Sequence, residues 1–249
     1  MKAEDSIATI ILAAGKGTRM KSPLAKVLHP LLGKPMLMFT VERAREIGSS
    51  RIVVVIGHQA DLIRDTVRDP SLTYVVQERQ LGTGHAVLMT ETSLRDFRGT
   101  ILILCGDVPL LRKYTLDKLM EEHSSSRADL TVLTVVLDNP SGYGRIVRGE
   151  GGIIRKIVED KDSSADEKKI REINTGIYCA RSGFLYEAVA QIRNENAQGE
   201  YYLTDIVGIA GRSGLRACAS VAGDFREVLG INTVEELSAA EAILRERGE

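Results

Sequence analysis

A glycine-rich turn near the start of the chain carries a concentration of cationic side chains. Gly15 and Gly17 lie in the segment AAGKGTR (13–19), and four basic residues lie in this turn or shortly after it: Lys16, Arg19, Lys21 and Lys26. Glycine lets the backbone approach a ligand closely, and successive N–H groups in such a turn can bind an anion. The residue types and their spacing therefore indicate phosphate chemistry.

The residues before this turn predict how it is positioned. Ile7 to Leu12 is an apolar run with the length and composition of a fully buried strand. A buried strand that ends in a glycine-rich, cationic loop is how α/β proteins usually bind phosphates. The segment does not match either of two known phosphate-binding motifs. Met20 stands in place of the third glycine of the dinucleotide-binding motif G-x-G-x-x-G, and in place of the second glycine of the P-loop motif G-x-x-x-x-G-K-[ST]. From the loop alone, phosphate binding and an ordinary turn with solvated lysines are almost equal interpretations.

Two polar residues follow later predicted strands. Gln77 comes directly after the strand Leu72 to Val76, and Asp107 follows the strand Ile101 to Leu104. Ligands of open α/β sheets bind at the carboxyl ends of the strands, where both residues should lie. Asp107 precedes the helix predicted near Lys113 by six residues, which is too far for a direct cap. Its carboxylate therefore fits a hard-cation ligand that faces a triphosphate.

Eight sequence blocks along the chain carry a family signature. They are LAAGKGTRM (12–20), QERQLGTGHA (77–86), GDVPL (106–110), NPSGYGRI (139–146), IVEDKD (157–162), NTGIY (174–178), GEYYLTDI (199–206) and GINT (230–233). Taken in this order, they resemble the signature of the sugar-phosphate nucleotidyltransferases. The resemblance is closest to the uridyltransferase part of bacterial enzymes that act on N-acetylglucosamine-1-phosphate. It implies Mg²⁺-dependent transfer of a uridylyl group from UTP to this sugar phosphate, giving UDP-N-acetylglucosamine and pyrophosphate.

The resemblance also implies roles for individual residues. Arg19 would bind the β- and γ-phosphates, and Lys26 would neutralise charge in the transition state. Mg²⁺ would be held by Asp107 and Asn232. The nucleotide would contact Leu12, Ala13, Ala14, Gly15, Gln77, Gly82 and Thr83, and the sugar would contact Gly144, Glu159 and Asn174.

Two departures from the family pattern leave alternatives open. Cys105 stands where relatives have tyrosine, and Ala25 replaces a proline before Lys26. The first could relax selectivity for the sugar, and the second could loosen the lysine loop. The alternatives are a pyrophosphorylase for another sugar-1-phosphate or nucleotide, and a non-catalytic regulatory protein that binds nucleotide sugars. A nicotinamide-dependent dehydrogenase is disfavoured, because the second predicted strand ends in Gly57-His58 without a carboxylate for a ribose.

Alternating strands and helices predict an α/β fold, with a mostly parallel mixed sheet flanked by helices and a small β-rich region for the sugar. The resemblance implies the Rossmann-like fold of nucleotide-diphospho-sugar transferases. One nucleotidyltransferase domain over residues 1–249 is expected. It would comprise a nucleotide-binding half (about 1–112), a sugar-binding half (about 113–232) and a C-terminal helix (233–249).

Composition limits the other classes of function. A net charge of −1 gives no reason to expect binding to nucleic acid or a membrane surface. The resemblance implies small-molecule partners, UTP and a sugar-1-phosphate. No apolar run reaches the about 20 residues of a membrane span. The polar, acidic start at Met1 to Asp5 predicts a cytoplasmic protein. No hexapeptide repeat is present, so the acetyltransferase β-helix of bifunctional relatives is not expected and the oligomeric state is left open.

Overall fold

A nine-stranded sheet runs through residues 6–248, the part of the chain that the computed structural model describes. The strands are β1 (Ile7–Ala13), β2 (Pro30–Leu31), β3 (Lys34–Pro35), β4 (Arg51–Ile56), β5 (Leu72–Val76), β6 (Thr100–Cys105), β7 (Leu130–Val136), β8 (Arg145–Arg148), β9 (Ile154–Val158), β10 (Glu172–Arg181) and β11 (Ala217–Val221). The helices are α1 (Met36–Glu46), α2 (Ala60–Thr66), α3 (Thr83–Leu88), α4 (Glu91–Leu94), α5 (Lys113–Ser125), α6 (Ser182–Val189), α7 (Asp205–Arg212) and α8 (Val234–Arg247).

The order of the large sheet is β11-β7-β10-β6-β1-β4-β5. Neighbouring strands are parallel except at β10, which is antiparallel to both β6 and β7. The β8–β9 hairpin joins this sheet where β8 pairs with β10, and β2 and β3 form a separate small hairpin. The predicted α/β fold with a mostly parallel mixed sheet is confirmed.

Alternate residues of the central strands lie in different layers of the core. Ile10 and Val53 pack in the layer that includes α6 and α7, whereas Ile11 and Val54 pack in the layer that includes α1. All four side chains are buried, as expected for parallel strands that are covered on both faces. The register pairs Ala13 with Ile56 and Leu12 with Cys105, so β1, β4 and β6 end at one edge. This edge positions the loops described below.

Some element bounds differ from the sequence-based expectation. Helix α1 begins after Pro35 because that proline belongs to β3, a strand of two residues that is too short to leave a periodic pattern. The sequence predicts that the helix from Ser182 continues to about Arg193, but α6 ends at Val189, because the Gln191 and Ile192 amides bond three residues back instead of four. The charged, polar composition of Ser163 to Lys169 predicts a mobile surface loop, and the structure has a 3₁₀ turn there at Glu167–Lys169. The mobility itself stays a prediction.

The spacing of Thr233 and Glu236 in the sequence predicts a capping box at the start of the C-terminal helix, and the structure has it. Thr233 Oγ1 accepts a hydrogen bond from the Glu236 amide at 3.2 Å, and Glu236 Oε2 accepts one from the Thr233 amide at 3.2 Å. Ala240 and Leu244 pack in a buried cluster with Met36 of α1 and with other apolar residues. This contact anchors the helix, and with it Asn232, against α1.

Parts of the prediction lie outside the described residues. They are the polar start at Met1 to Asp5, on which the cytoplasmic prediction depends, and the last residue of the predicted C-terminal helix, Glu249. No helix within residues 6–248 is long and apolar enough to span a bilayer.

Candidate active site

The two glycines of the first loop have different structural roles. Gly15 has open space around it, since a Cβ atom built there meets nothing within 4 Å. Gly17 adopts φ +61°, in the left-handed region, and a Cβ atom there would lie 2.5 Å from Lys26 Cβ. The loop can therefore approach a ligand at Gly15, whereas Gly17 lets the backbone pass beside Lys26.

Alanine at these two positions should separate folding from binding. We expect Gly17→Ala to lower stability by about 2 kcal/mol and turnover by about a hundredfold, because it strains φ and displaces Lys26. Gly15→Ala should leave the melting temperature nearly unchanged and raise the KM for the nucleotide. Thermal denaturation and steady-state kinetics of both variants measure this, and equal melting temperatures for the two variants would contradict it.

A charged cluster forms where the first loop meets the ends of β6 and the loop before α8. The Lys26 ammonium group pairs with the Asp107 carboxylate, and Lys26 Nζ also donates to Asn232 Oδ1 at 3.0 Å. Arg19 Nη2 donates to the same Asn232 oxygen at 2.8 Å. The structure thus brings together all four residues that the sequence analysis placed in catalysis or metal binding.

Backbone contacts fix the two oxygen donors of this cluster. The Asp107 carbonyl accepts from the Ile231 amide at 2.8 Å, which ties β6 to the loop before α8. Asn232 Nδ2 donates to the Gly230 carbonyl at 2.8 Å, so Asn232 Oδ1 is the atom that faces the cations. A Cβ atom on Gly230 would lie 3.2 Å from Asp107 Oδ2, a tight contact that the carboxylate would have to shift to relieve. A carboxylate and an amide oxygen are ligands that suit Mg²⁺.

A cavity of about 340 Å³ lies beside this cluster. All seven residues predicted to contact the nucleotide line it, namely Leu12, Ala13, Ala14, Gly15, Gln77, Gly82 and Thr83. Its wall also includes Lys26, Asp107 and two polar residues that the sequence analysis did not assign, Gln80 and Glu200. A larger hollow of about 830 Å³ between β9, α6 and α7 contains none of the predicted site residues. Cavity volume therefore indicates the functional site less well here than does the cluster of charged groups at the sheet edge.

The block Glu200-Tyr201-Tyr202, to which the sequence analysis assigned no role, supports the loop before α3. The Tyr201 amide donates to the Leu81 carbonyl at 2.8 Å, and the Tyr201 carbonyl accepts from the Gly84 amide at 2.8 Å. A Cβ atom on Gly82 would lie 2.6 Å from the Tyr201 carbonyl oxygen. The Leu203 amide donates to Thr83 Oγ1 at 3.0 Å. The block therefore holds the wall of the cavity in place through backbone contacts.

The three predicted sugar contacts lie together on the β8–β9 hairpin and β10. The Asn174 amide donates to the Gly144 carbonyl at 2.8 Å, and a Cβ atom on Gly144 would lie 3.4 Å from Glu159 Oε2. Thr204 Oγ1 donates to Glu159 Oε1 at 3.0 Å. Burial raises the pKa of Glu159, and so do the nearby charges of Asp162, Asp205 and Asp160, whereas the bond from Thr204 opposes the shift.

This perturbed carboxylate predicts a stability effect with a definite sign. Because the pKa of Glu159 is raised in the folded state, the unfolded chain loses this proton at a lower pH than the folded chain does. The free energy of unfolding therefore falls as pH rises through this range. We expect Glu159→Gln to melt above the wild type at pH 8, with the difference vanishing below about pH 4, the usual range of glutamate. Melting temperatures from pH 4 to pH 8 measure it.

Glu167→Gln is the matched control for this prediction. Its ion pair with Lys156 lowers the pKa of Glu167 to about 2, so this carboxylate contributes stability above its unfolded pKa and loses it on acidification. The control should therefore melt below the wild type at neutral pH. The same sign for both variants would contradict the assignment.

An ion pair that the sequence analysis missed, between a buried arginine and a partly exposed aspartate, connects two of the sugar residues. The Arg145 side chain is only 2% exposed, and its Nη2 atom lies 2.9 Å from Asp160 Oδ1. Arg145 follows Gly144, and Asp160 follows Glu159, so the pair holds these neighbours together. The arginine in the block NPSGYGRI could have indicated that an acidic residue lies nearby, because a buried arginine requires an acidic partner.

Cys105 lies between the nucleotide cavity and the sugar residues. It lines the cavity, and its Sγ atom donates to the Gly176 carbonyl at 3.5 Å, while the Gly176 amide donates to Asn174 Oδ1 at 3.1 Å. Burial raises the pKa of Cys105 to about 12, and the nearby Asp107 charge acts in the same direction. The thiol is therefore neutral at physiological pH and is not an activated nucleophile.

Comparison with known proteins agrees with this geometry. The family model described as nucleotidyl transferase matches residues 8–225. The bifunctional protein GlmU of Geobacter metallireducens is 53% identical over 242 residues, which are 97% of this chain and 51% of the relative. GlmU of Exiguobacterium sp. is 50% identical over 238 residues, which are 96% of this chain and 52% of the relative. The chain thus spans about half the length of these relatives.

A solved structure supports the fold assignment. A crystal structure of a UDP-glucose pyrophosphorylase complexed with UDP-glucose superimposes with a TM-score of 0.77 at 18% identity, covering 98% of this chain and 99% of that one. At this level of identity the likeness concerns the fold. The predicted family is confirmed by the match over residues 8–225 and by the sequence relatives: this chain belongs to the nucleotidyl transferase family.

Proposed function

We propose that the chain transfers a uridylyl group from UTP to N-acetylglucosamine-1-phosphate, releasing pyrophosphate and forming UDP-N-acetylglucosamine. The observation that supports this most is the cluster of Lys26, Arg19, Asp107 and Asn232 beside the nucleotide cavity. Two cations and two oxygen donors at a sheet edge suit a reaction between phosphate groups. The choice of uridine and of this sugar depends on the eight sequence blocks.

The proposed mechanism depends on positioning and charge neutralisation. A sugar-1-phosphate is already an anionic nucleophile, so its attack on the α-phosphorus of UTP requires no general base. Lys26 would turn from Asp107 toward the phosphates and neutralise the transition state, while Arg19 would bind the departing β- and γ-phosphates. Asp107 and Asn232 would hold Mg²⁺, which supplies further neutralisation of phosphate charge when bound.

The sugar is proposed to occupy the space beside Gly144, Glu159 and Asn174. The Glu159 carboxylate would accept a hydroxyl proton, and its contact with Thr204 orients it for this role. The Gly144 amide and the Asn174 side chain would complete the contacts. In this proposal residues 1–112 bind the nucleotide, residues 113–232 bind the sugar, and the reaction takes place in the cytoplasm.

The experiment that tests the proposal is pyrophosphate release in the presence of Mg²⁺. Four nucleoside triphosphates are each combined with N-acetylglucosamine-1-phosphate, glucose-1-phosphate and galactose-1-phosphate. We expect one strong signal, for UTP with N-acetylglucosamine-1-phosphate. Strong release with another pair would keep the mechanism and change the substrate, an alternative favoured by Cys105 at the junction with the sugar residues. Silence in every combination, with UDP-sugar still bound, would favour a regulatory protein.

A further inference from the structure

The side chain of Gln77 is held by two acceptors on its nitrogen. Gln77 is 3% exposed and lines the nucleotide cavity at the end of β5. Its Nε2 atom lies 3.0 Å from the Gly82 carbonyl oxygen and 2.9 Å from His85 Nδ1. A carbonyl oxygen can only accept, so the Gln77 atom beside it must be the NH₂ group. This fixes which end of the amide is nitrogen and leaves Oε1 as the other end.

The same contact fixes the state of His85. The NH₂ group of Gln77 has two protons, and the second one is directed to His85 Nδ1. This ring nitrogen must therefore be bare and accept, so the proton of the neutral imidazole resides on Nε2. Burial lowers the pKa of His85, and the positive charge of Arg79 acts in the same direction, which favours this neutral form.

We propose that His85 is a positioning residue for base selection. Its bare Nδ1, together with the Gly82 carbonyl, locks the Gln77 amide so that only Oε1 is presented to the base. An amide oxygen accepts the N3–H of uracil, whereas N3 of cytosine is itself an acceptor and would be repelled. The inference rests on the proposed function and deepens it, because it assigns the preference for a base with an N3–H to a histidine outside the predicted contacts.

The surrounding structure supports a rigid lock. Gly82 has φ +110°, and its carbonyl also accepts from the Ala86 amide at 3.1 Å, so its direction is fixed by the start of α3. Rotating the Gln77 amide by half a turn would place its oxygen against the Gly82 oxygen and the His85 lone pair. Both contacts would be lost at a nearly buried site, where unpaired polar groups are costly.

The first test reads the tautomer in the ligand-free protein. Nitrogen-15 NMR of histidine-labelled protein at pH 7.5 should show His85 with a bare Nδ1 and a protonated Nε2. A protonated Nδ1 would overturn the proposal. This result does not depend on turnover, so it is distinct from a failure of the proposed uridyltransferase activity.

The second test measures base selection with a matched pair of variants. His85→Leu removes the acceptor at similar volume, whereas His85→Asn places an amide oxygen where Nδ1 stood. We expect His85→Leu to reduce the ratio of UTP to CTP in kcat/KM by about tenfold, the size of one net hydrogen bond. His85→Asn should restore most of that ratio.

The role of Gln77 in this effect is tested by combination. In a Gln77→Ala background, His85→Leu should cause no further loss of selectivity, since the histidine acts through the amide. An unchanged ratio in His85→Leu, or the same loss in His85→Asn, would overturn the proposal. If no sugar phosphate supports turnover, the ratio of UTP and CTP dissociation constants is the readout for the same variants.

Discussion

Replacing Asp107 with alanine should reduce Mg²⁺-dependent pyrophosphate release by about a thousandfold, the effect expected when a main electrostatic group of the reaction is removed. The carboxylate is one of the two oxygen donors in the charged cluster, and in the ligand-free protein it also holds Lys26. The fold should persist, because the bond that ties Asp107 to Ile231 uses the backbone carbonyl. Steady-state kinetics across a range of Mg²⁺ concentrations measure the loss.

Asp117→Ala is the matched control for this change. Asp117 pairs with Lys113 along α5 at 2.7 Å, and both side chains are nearly half exposed. Removing this carboxylate also breaks an ion pair, but far from any proposed substrate contact, so turnover should stay at the wild-type level. Near-normal activity of Asp107→Ala, with an unchanged dependence on Mg²⁺, would contradict the metal assignment.

The core of the fold could be predicted from local sequence patterns. The runs that became β1, β4 and β6 are continuous, apolar and rich in branched residues, so burial on both faces determines their conformation whatever they pack against. The capping box at Thr233 was equally local, since its two partners are three residues apart. Element ends were less predictable, because contacts distant in sequence decide them. For example, the sequence predicts a helix within Leu203 to Gly211, but the Leu203 amide bonds to Thr83 and α7 begins at Asp205.

The candidate site divides in the same way. Arg19, Lys26 and Asp107 could be singled out because their chemistry is visible beside a predicted strand end. The ion pair between Arg145 and Asp160 could not, because the arginine signals that it needs an acidic partner but not which residue supplies it.

The glycines of the first loop make the same point. The sequence suggested that both glycines let the backbone approach a ligand. In the structure only Gly15 has open space for a ligand, whereas Gly17 packs against the Lys26 side chain.

Each cation of the charged cluster has an oxygen acceptor within the cluster. Lys26 bridges Asp107 and Asn232, and Arg19 shares the Asn232 oxygen, so each cation occupies an acceptor until phosphate groups arrive. The side chains that pair with one another in the cluster are thus those that the proposed mechanism assigns to neutralising substrate charge. Because the Lys26 side chain is only 14% exposed, its charge acts in surroundings where electrostatic interactions are stronger than in water.

We therefore expect Lys26→Met to lower kcat by about a thousandfold and to change the KM for UTP much less. The ammonium charge is most needed in the transition state, where the attacking oxygen and the leaving oxygen are both partly bonded to the α-phosphorus. Methionine keeps a similar length beside Gly17 and removes only the ammonium group. Lys113→Met removes the cation of the exposed α5 pair and should leave both constants unchanged. Steady-state kinetics with each substrate varied in turn distinguish the outcomes. A rise in KM with an unchanged kcat would mean that Lys26 binds the ground state and does not act in the transition state.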